Sequence, residues 1–197
     1  YRPFLVKEEK ILMMAMENGE SSAITQAVKD IVSECTFGKT NISKLPMFDT
    51  EYLFLNIRAK SVGEISKLKI LCPDDKETYA DVSVDLTKVQ VQVDEEHTNK
   101  IEFTDSMGMI MTYPTIDSFN DSGIRDINAS NMLDVIGGCI LQIYEKNGEK
   151  IYDPKDQTKK ELEEFLEQLN TQQFKSVQKF FDTMPKLKHE IEVKNPK

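Results

Sequence analysis

Apolar side chains recur at helical spacing in the first third of the chain, at alternate positions in the middle, and at helical spacing again toward the end. Leu5 to Met16 carries Ile11, Leu12, Ala15 and Met16 on one helical face, and Asn18-Gly19 supplies a stop. Ser21 or Ser22 is placed to cap a second helix lined by Ile24, Val28, Ile31 and Val32, which Phe37-Gly38 ends. A third helix is expected from Asp49 or Thr50 to about Ser61, with Asp49 as N-cap, Tyr52, Leu53, Leu55 and Ile57 inward, and Gly63 after it.

The period then shortens to two. Leu68, Ile70 and Cys72 alternate on one side of the turn Pro73-Asp74-Asp75-Lys76, and Val82, Val84 and Leu86 on the other, which predicts a β-hairpin with one wet face. Val89, Val91 and Val93 predict a third strand, Ile101 and Phe103 a fourth, and Met107 to Tyr113 a fifth, stopped by Pro114.

Ser118 to Asn128 is polar and reads as a loop or a short helix before one. A helix is expected from Ser130 to about Glu145, with Met132, Ile136, Cys139, Ile140 and Ile143 on one face. Gly137-Gly138 within it costs about 1 kcal/mol per residue relative to alanine, which a close packing contact would explain. Asn147-Gly148 is a turn. Thr158-Lys159-Lys160-Glu161 matches a capping box and opens a helix burying Leu162, Phe165, Leu166 and Leu169. Asn170 or Thr171 starts another, with Phe174, Val177, Phe181 and Met184 inward and Pro185 after it. Leu187, His189, Ile191 and Val193 alternate as a final strand.

Helices, strands, helices and a last strand argue for an α+β fold: N-terminal helices, a central antiparallel sheet, a C-terminal helical hairpin and a final strand returning to the sheet. One domain over residues 1–197 is expected, helical over 1–63, β over 64–113, helical over 114–185 and strand over 186–194.

Composition narrows the function. The chain has 197 residues, 39% of them hydrophobic and 30% charged, enough for a sizeable core. A net charge of −9 disfavours generic binding to nucleic acid, and the locally basic end (Lys186, Lys188, Lys194, Lys197) reads as a solvated face. No apolar run approaches the about 20 residues that span a bilayer. The opening on Tyr1 rather than methionine suggests that an N-terminal piece is missing. Cys35, Cys72 and Cys139 form no disulfide framework, which fits a reducing cytosol, and Cys35 and Cys139 read as small buried hydrophobes.

Candidate chemistry is sparse. There are two histidines, His97 in a polar turn and His189 in the last strand, and each is assigned to the surface or to packing. Gly38-Lys39-Thr40 copies only the tail of a phosphate-binding loop, because Ser33 stands where its first glycine belongs and a helix precedes it. The acidic pairs Asp74-Asp75 and Glu163-Glu164 are adjacent in sequence and build no carboxylate dyad; Asp117 to Asp126 lacks calcium-loop spacing. Cys72-Pro73 opens like a zinc knuckle, but its fourth position is Asp75, so no zinc is expected, and no catalytic residue, cofactor or other metal is assigned.

Several segments carry a resemblance. They are Tyr1-Arg2-Pro3-Phe4-Leu5-Val6-Lys7-Glu8-Glu9-Lys10, Tyr52-Leu53-Phe54-Leu55 with Ile57-Arg58-Ala59-Lys60-Ser61-Val62-Gly63-Glu64, Tyr113-Pro114-Thr115, and Phe180-Phe181-Asp182-Thr183-Met184-Pro185-Lys186-Leu187 followed by His189-Glu190. In this order, over nearly the whole chain, they resemble the T4-type bacteriophage baseplate protein family, whose members belong to the baseplate hub or assist its assembly.

The resemblance implies a non-enzymatic role in contractile-tail assembly. Its implied partners are other baseplate hub and tail proteins, and its locations are the virion tail and, during assembly, the host cytoplasm. It brings no catalytic residues. Some relatives keep paired cysteines near the positions of Cys72 and Asn195, which this chain lacks. Arg58, Lys60 and Glu64, around the end of the third helix, are candidate interface residues, as are Arg2 and Phe4 in an Arg2-Pro3-Phe4 edge strand; the alternative is a capping and salt-bridge cluster that supports the fold. Met13, Met14, Met16, Met107, Met109 and Met111 are assigned to core packing, with adaptable contact surfaces as the alternative.

Overall fold

The computed structural model describes residues 1–121, 132–145 and 150–196. In chain order the elements are helices α1 (Val6–Asn18), α2 (Ser21–Cys35) and α3 (Met47–Val62), then strands β1 (Ile65–Leu71), β2 (Tyr79–Asp85), β3 (Gln90–Gln92), β4 (Lys100–Glu102) and β5 (Met107–Met111). Helices α4 (Ile116–Asp121) and α5 (Met132–Gly138) follow, then strands β6 (Ile140–Glu145) and β7 (Lys150–Tyr152), helices α6 (Lys159–Glu167) and α7 (Thr171–Thr183), and strand β8 (Lys186–Lys188). The α+β order is as the pattern predicts. The strands are divided among three antiparallel sheets, β1-β2, β3-β8 and β4-β5-β6-β7. The contacts define two compact units, Tyr1–Ile42 with Phe48–Gln92 and Lys186–Lys197, and Ser43–Met47 with Val93–Pro185.

In the first unit, α1 stops at Gly19, whose φ of 72° is one that a side-chain-bearing residue rarely adopts, and α2 turns back to pack on α1. Ser21 is the first helical residue of α2 rather than its cap, and Glu20 before it makes no side-chain cap bond. Ile31, Val32 and Cys35 on α2 and Ile57 on α3 are fully buried. Helix α3 begins at Met47, so Asp49 lies in its first turn instead of capping it, and Tyr52, expected inward, is exposed. The hairpin β1-β2 pairs from Ile65↔Asp85 to Leu71↔Tyr79. The last strand returns to β3, pairing Gln90↔Lys188 to Gln92↔Lys186, and is shorter than the alternation to Val193 suggests.

The second unit packs α5, α6 and α7 against its four-stranded sheet. Met109, Met111, Ile140 and Ile143 from the sheet join Ile136, Leu166, Val177 and Phe180 in one buried cluster. Both C-terminal helices open with capping boxes, Thr158 with Glu161 and Asn170 with Gln173.

The stretch expected as one helix from Ser130 to Glu145 is two elements. Helix α5 ends on Gly137-Gly138, and residues 140–145 form β6. The register explains the misreading: Gln142 faces Ile110 while Ile140 faces Met111, so Leu141 is the extra residue of a bulge. The bulge brings Ile140 and Ile143 to the same buried side at a spacing of three, which imitates a helix. Cys139 is buried in the turn before β6, where Thr112 N–H donates to its carbonyl over 2.7 Å. Strand β7 had no counterpart in the sequence reading. Asn147-Gly148, and Ser118 to Asn128 beyond Asp121, lie outside the described residues.

Gly108 sits opposite Tyr144 in the β5-β6 register, and a Cβ there would meet the Tyr144 side chain and lie 2.6 Å from the Ile101 carbonyl oxygen. Backbone cannot retreat as a flexible side chain can. Gly108→Ala is therefore expected to destabilise the chain by about 2 kcal/mol in chemical denaturation, from overpacking; unchanged stability would contradict this packing.

Candidate functional site

The candidate interface residues meet around the N-terminal segment and the end of α3, both in the first unit. Arg2-Pro3-Phe4 is not a strand. It is pinned at its first and last residues instead: Arg2 N–H donates to the Cys35 carbonyl over 2.9 Å, and Phe4 N–H to Ser61 Oγ over 2.8 Å. Ser61 Oγ in turn donates to the Ile57 carbonyl one turn earlier on α3, at 2.5 Å. Lys60 Nζ lies 4.9 Å from the centre of the Tyr1 ring, a cation–π contact over the same segment.

At the centre is Glu8, with only 2% of its surface exposed. Its carboxylate accepts from Arg2 Nη2 at 2.9 Å and from the Leu5 N–H at 2.6 Å, with Lys7 Nζ at 3.3 Å. Glu8 is the third residue of α1, where an acid can reach back to an unpaired amide of the helix start. The Arg2 hydrogen bond is the largest cause holding the Glu8 carboxyl down at about 2, against the opposing pull of burial, and the Leu5 and Lys7 bonds add to it. Phe4 is buried, Arg58 is half-buried, and Lys60 and Glu64 stay outward. The Glu64 carbonyl accepts from Leu86 N–H at 2.8 Å. Arg2 and Phe4 thus serve as internal anchors, and the outward polar groups of the set are Lys60 and Glu64. Glu8 and Ser61 have no role of their own in the sequence pattern; the signal there is an acid three residues after Leu5.

His97 is built into the second unit rather than lying on a polar surface turn. Thr183 Oγ1 donates its one proton to the Lys179 carbonyl at 2.7 Å, so it accepts from His97 Nδ1 at 2.9 Å. That leaves Nε2 to accept from the Tyr113 hydroxyl at 2.9 Å, and the ring packs against Tyr113 and Phe180. Burial favours the neutral ring and lowers its pKa, opposed by Asp94. Every polar atom of the ring is committed within the fold, so the packing role holds.

The turn after Cys72 is organised by carboxylates. Asp75 accepts from Thr78 N–H at 3.0 Å and Thr78 Oγ1 at 2.6 Å, and Asn195 Nδ2 donates to Asp74 at 2.9 Å. Cys72 and Asn195 thus belong to one corner of the first unit, where hydrogen bonds join the C-terminal stretch to the hairpin turn. Among the described residues no group of three or more His, Cys, Asp or Glu could hold a metal ion.

The surface carries the other signal. Met109 and Met111 are core residues, but Met13, Met14 and Met16 are exposed on α1, together with Val6 and Ile11. The core assignment of those three methionines is therefore corrected: α1 buries Glu8 and Ala15 and turns apolar residues outward. The β1-β2 hairpin does the same with Ile65, Leu68, Leu71 and Tyr79. Exposed apolar side chains thus lie on α1 and on both faces of the β1-β2 hairpin, where a protein partner would cover them. Among the described residues no helix is long and apolar enough to cross a membrane.

The whole chain, residues 1–197, matches the family model described as T4 bacteriophage base plate protein, and the chain belongs to that family. No curated protein and no solved structure matches it. Membership gives a baseplate-related role in a bacteriophage tail, among other baseplate proteins.

The Glu8 carboxyl titrates lower folded than its ordinary 4.5, so its stabilisation is complete above about pH 4.5 and is lost as pH falls toward 2. Glu8→Gln is expected to cost about 2 kcal/mol at neutral pH, from lost charge-assisted bonds, and to flatten the acid limb of the stability curve. Equal stability and an unaltered acid limb in urea titrations would remove Glu8 from the centre of this cluster.

Proposed function

We propose that the chain is a structural component of the baseplate hub of a contractile tail, made late in infection in the host cytoplasm and retained in the virion. It acts by binding other hub proteins and performs no catalysis. The observation that carries this reading is the outward apolar side chains of α1 and of the β1-β2 hairpin, on a chain whose buried carboxylate Glu8 is consumed in holding the fold. Lys60 and Glu64 lie near the end of α3 and supply the polar rim of such a contact.

The test is quantitative mass spectrometry of purified tails against a known hub protein. A fixed copy number is expected. Absence from finished tails, with recovery in complexes from infected cells, would make the chain an assembly factor that leaves; absence from both would end the hub reading.

We also propose that residues 1–197 fold as one cooperative domain, since β3 and β8 join distant parts of the sequence. A single calorimetric transition is expected, and two resolved transitions would oppose it.

A further inference from the structure

We infer that the free edge of β1 receives an extended segment of another protein in which acidic residues alternate with apolar ones. The inference rests on the reading of the chain as a protein-binding baseplate component and names the chemistry of one partner.

Among the described residues strand β1 has one neighbour, β2, within a two-stranded sheet. Six of its seven residues are exposed and only Ser66 is half-buried. A two-stranded ribbon is marginal in water, and a third strand is the common way to complete it. The outer edge of β1 offers the row of backbone donors and acceptors that such a strand needs.

Side-chain chemistry selects the occupant. The alternation puts Lys67 and Lys69 on one face, and Leu68 and Ile70 on the other. Among the described residues neither lysine makes an ion pair. Strand β2 already shows the complementary pattern at the inner edge: Asp81 faces Lys69, while Ala80, Val82 and Val84 lie on the apolar side. A second strand of that pattern at the outer edge would place carboxylates beside the same lysines and cover Leu68 and Ile70. A second copy of β1 is excluded by the same charges. In the antiparallel pairing that uses the full strand, centred on Leu68, each Lys67 would face the other copy's Lys69, and like charges directly opposed are destabilising.

The test uses the full isotope-labelled chain and two seven-residue capped peptides, one alternating valine with aspartate and one alternating valine with lysine. Amide shifts on adding the aspartate peptide are expected to concentrate in Ile65–Leu71, with about tenfold weaker binding of the lysine peptide. The double variant Lys67→Glu, Lys69→Glu changes exposed side chains and is expected to reverse the preference, with its circular dichroism unchanged. No response in β1, an equal response to both peptides, or a β1-dependent homodimer in sedimentation would each overturn the assignment. Because tail copy number is measured separately, a failed peptide test in a chain that is found in tails removes the β1 edge and leaves the hub role standing.

Discussion

The buried contact between Glu8 and Arg2 sets the architecture of the first unit. A carboxylate taken out of water is costly unless cations and N–H donors surround it. Glu8 has three such partners, and they come from the chain just before α1 and from its first turn. The contact fixes the N-terminal segment, which then bonds the end of α2 through the Cys35 carbonyl and the end of α3 through Ser61. Three helix ends are registered by a few polar groups, and the apolar faces of α2 and α3 are free to form the core.

That arrangement has a consequence at the surface. The side of α1 that carries Glu8 and Ala15 faces inward, so Val6, Met13 and Met16 must face out. Hairpin β1-β2 likewise has too few strands to bury its side chains. An isolated soluble protein gains nothing from such exposure, whereas a component of a large assembly uses it. The charged groups at the margins, Lys60, Glu64, Lys67 and Lys69, are suited to choosing among partners rather than to holding them. The whole-chain family match points to the same setting of baseplate proteins working through one another.

Much of this was legible in the sequence because it depends on local rules. The glycine stop at Gly19, the alternation across β1 and β2, the capping box at Thr158 and the helix start at Asn170 are written in short windows. What was not legible depends on partners distant in sequence. The bulge at Leu141 gives Ile140 and Ile143 a helical spacing inside a strand, and only the register with β5 shows it. Apolar spacing on α1 said that the helix has greasy faces, not which of them the fold covers. The candidate interface residues lie in one region of the first unit, but Arg2 and Phe4 point into the fold because Glu8 and Ser61 await them there.

The central claim is that the outward apolar surface of α1 and the β1 edge is completed by assembly. Hydrogen–deuterium exchange tests it most directly, comparing the free chain with the same chain in purified baseplates. The account predicts that amides of β1, whose outer edge has no strand beside it among the described residues, become protected on assembly, along with reduced solvent access at Met13, Met14 and Met16 by oxidative footprinting. Identical exchange and identical methionine oxidation in both states would contradict it.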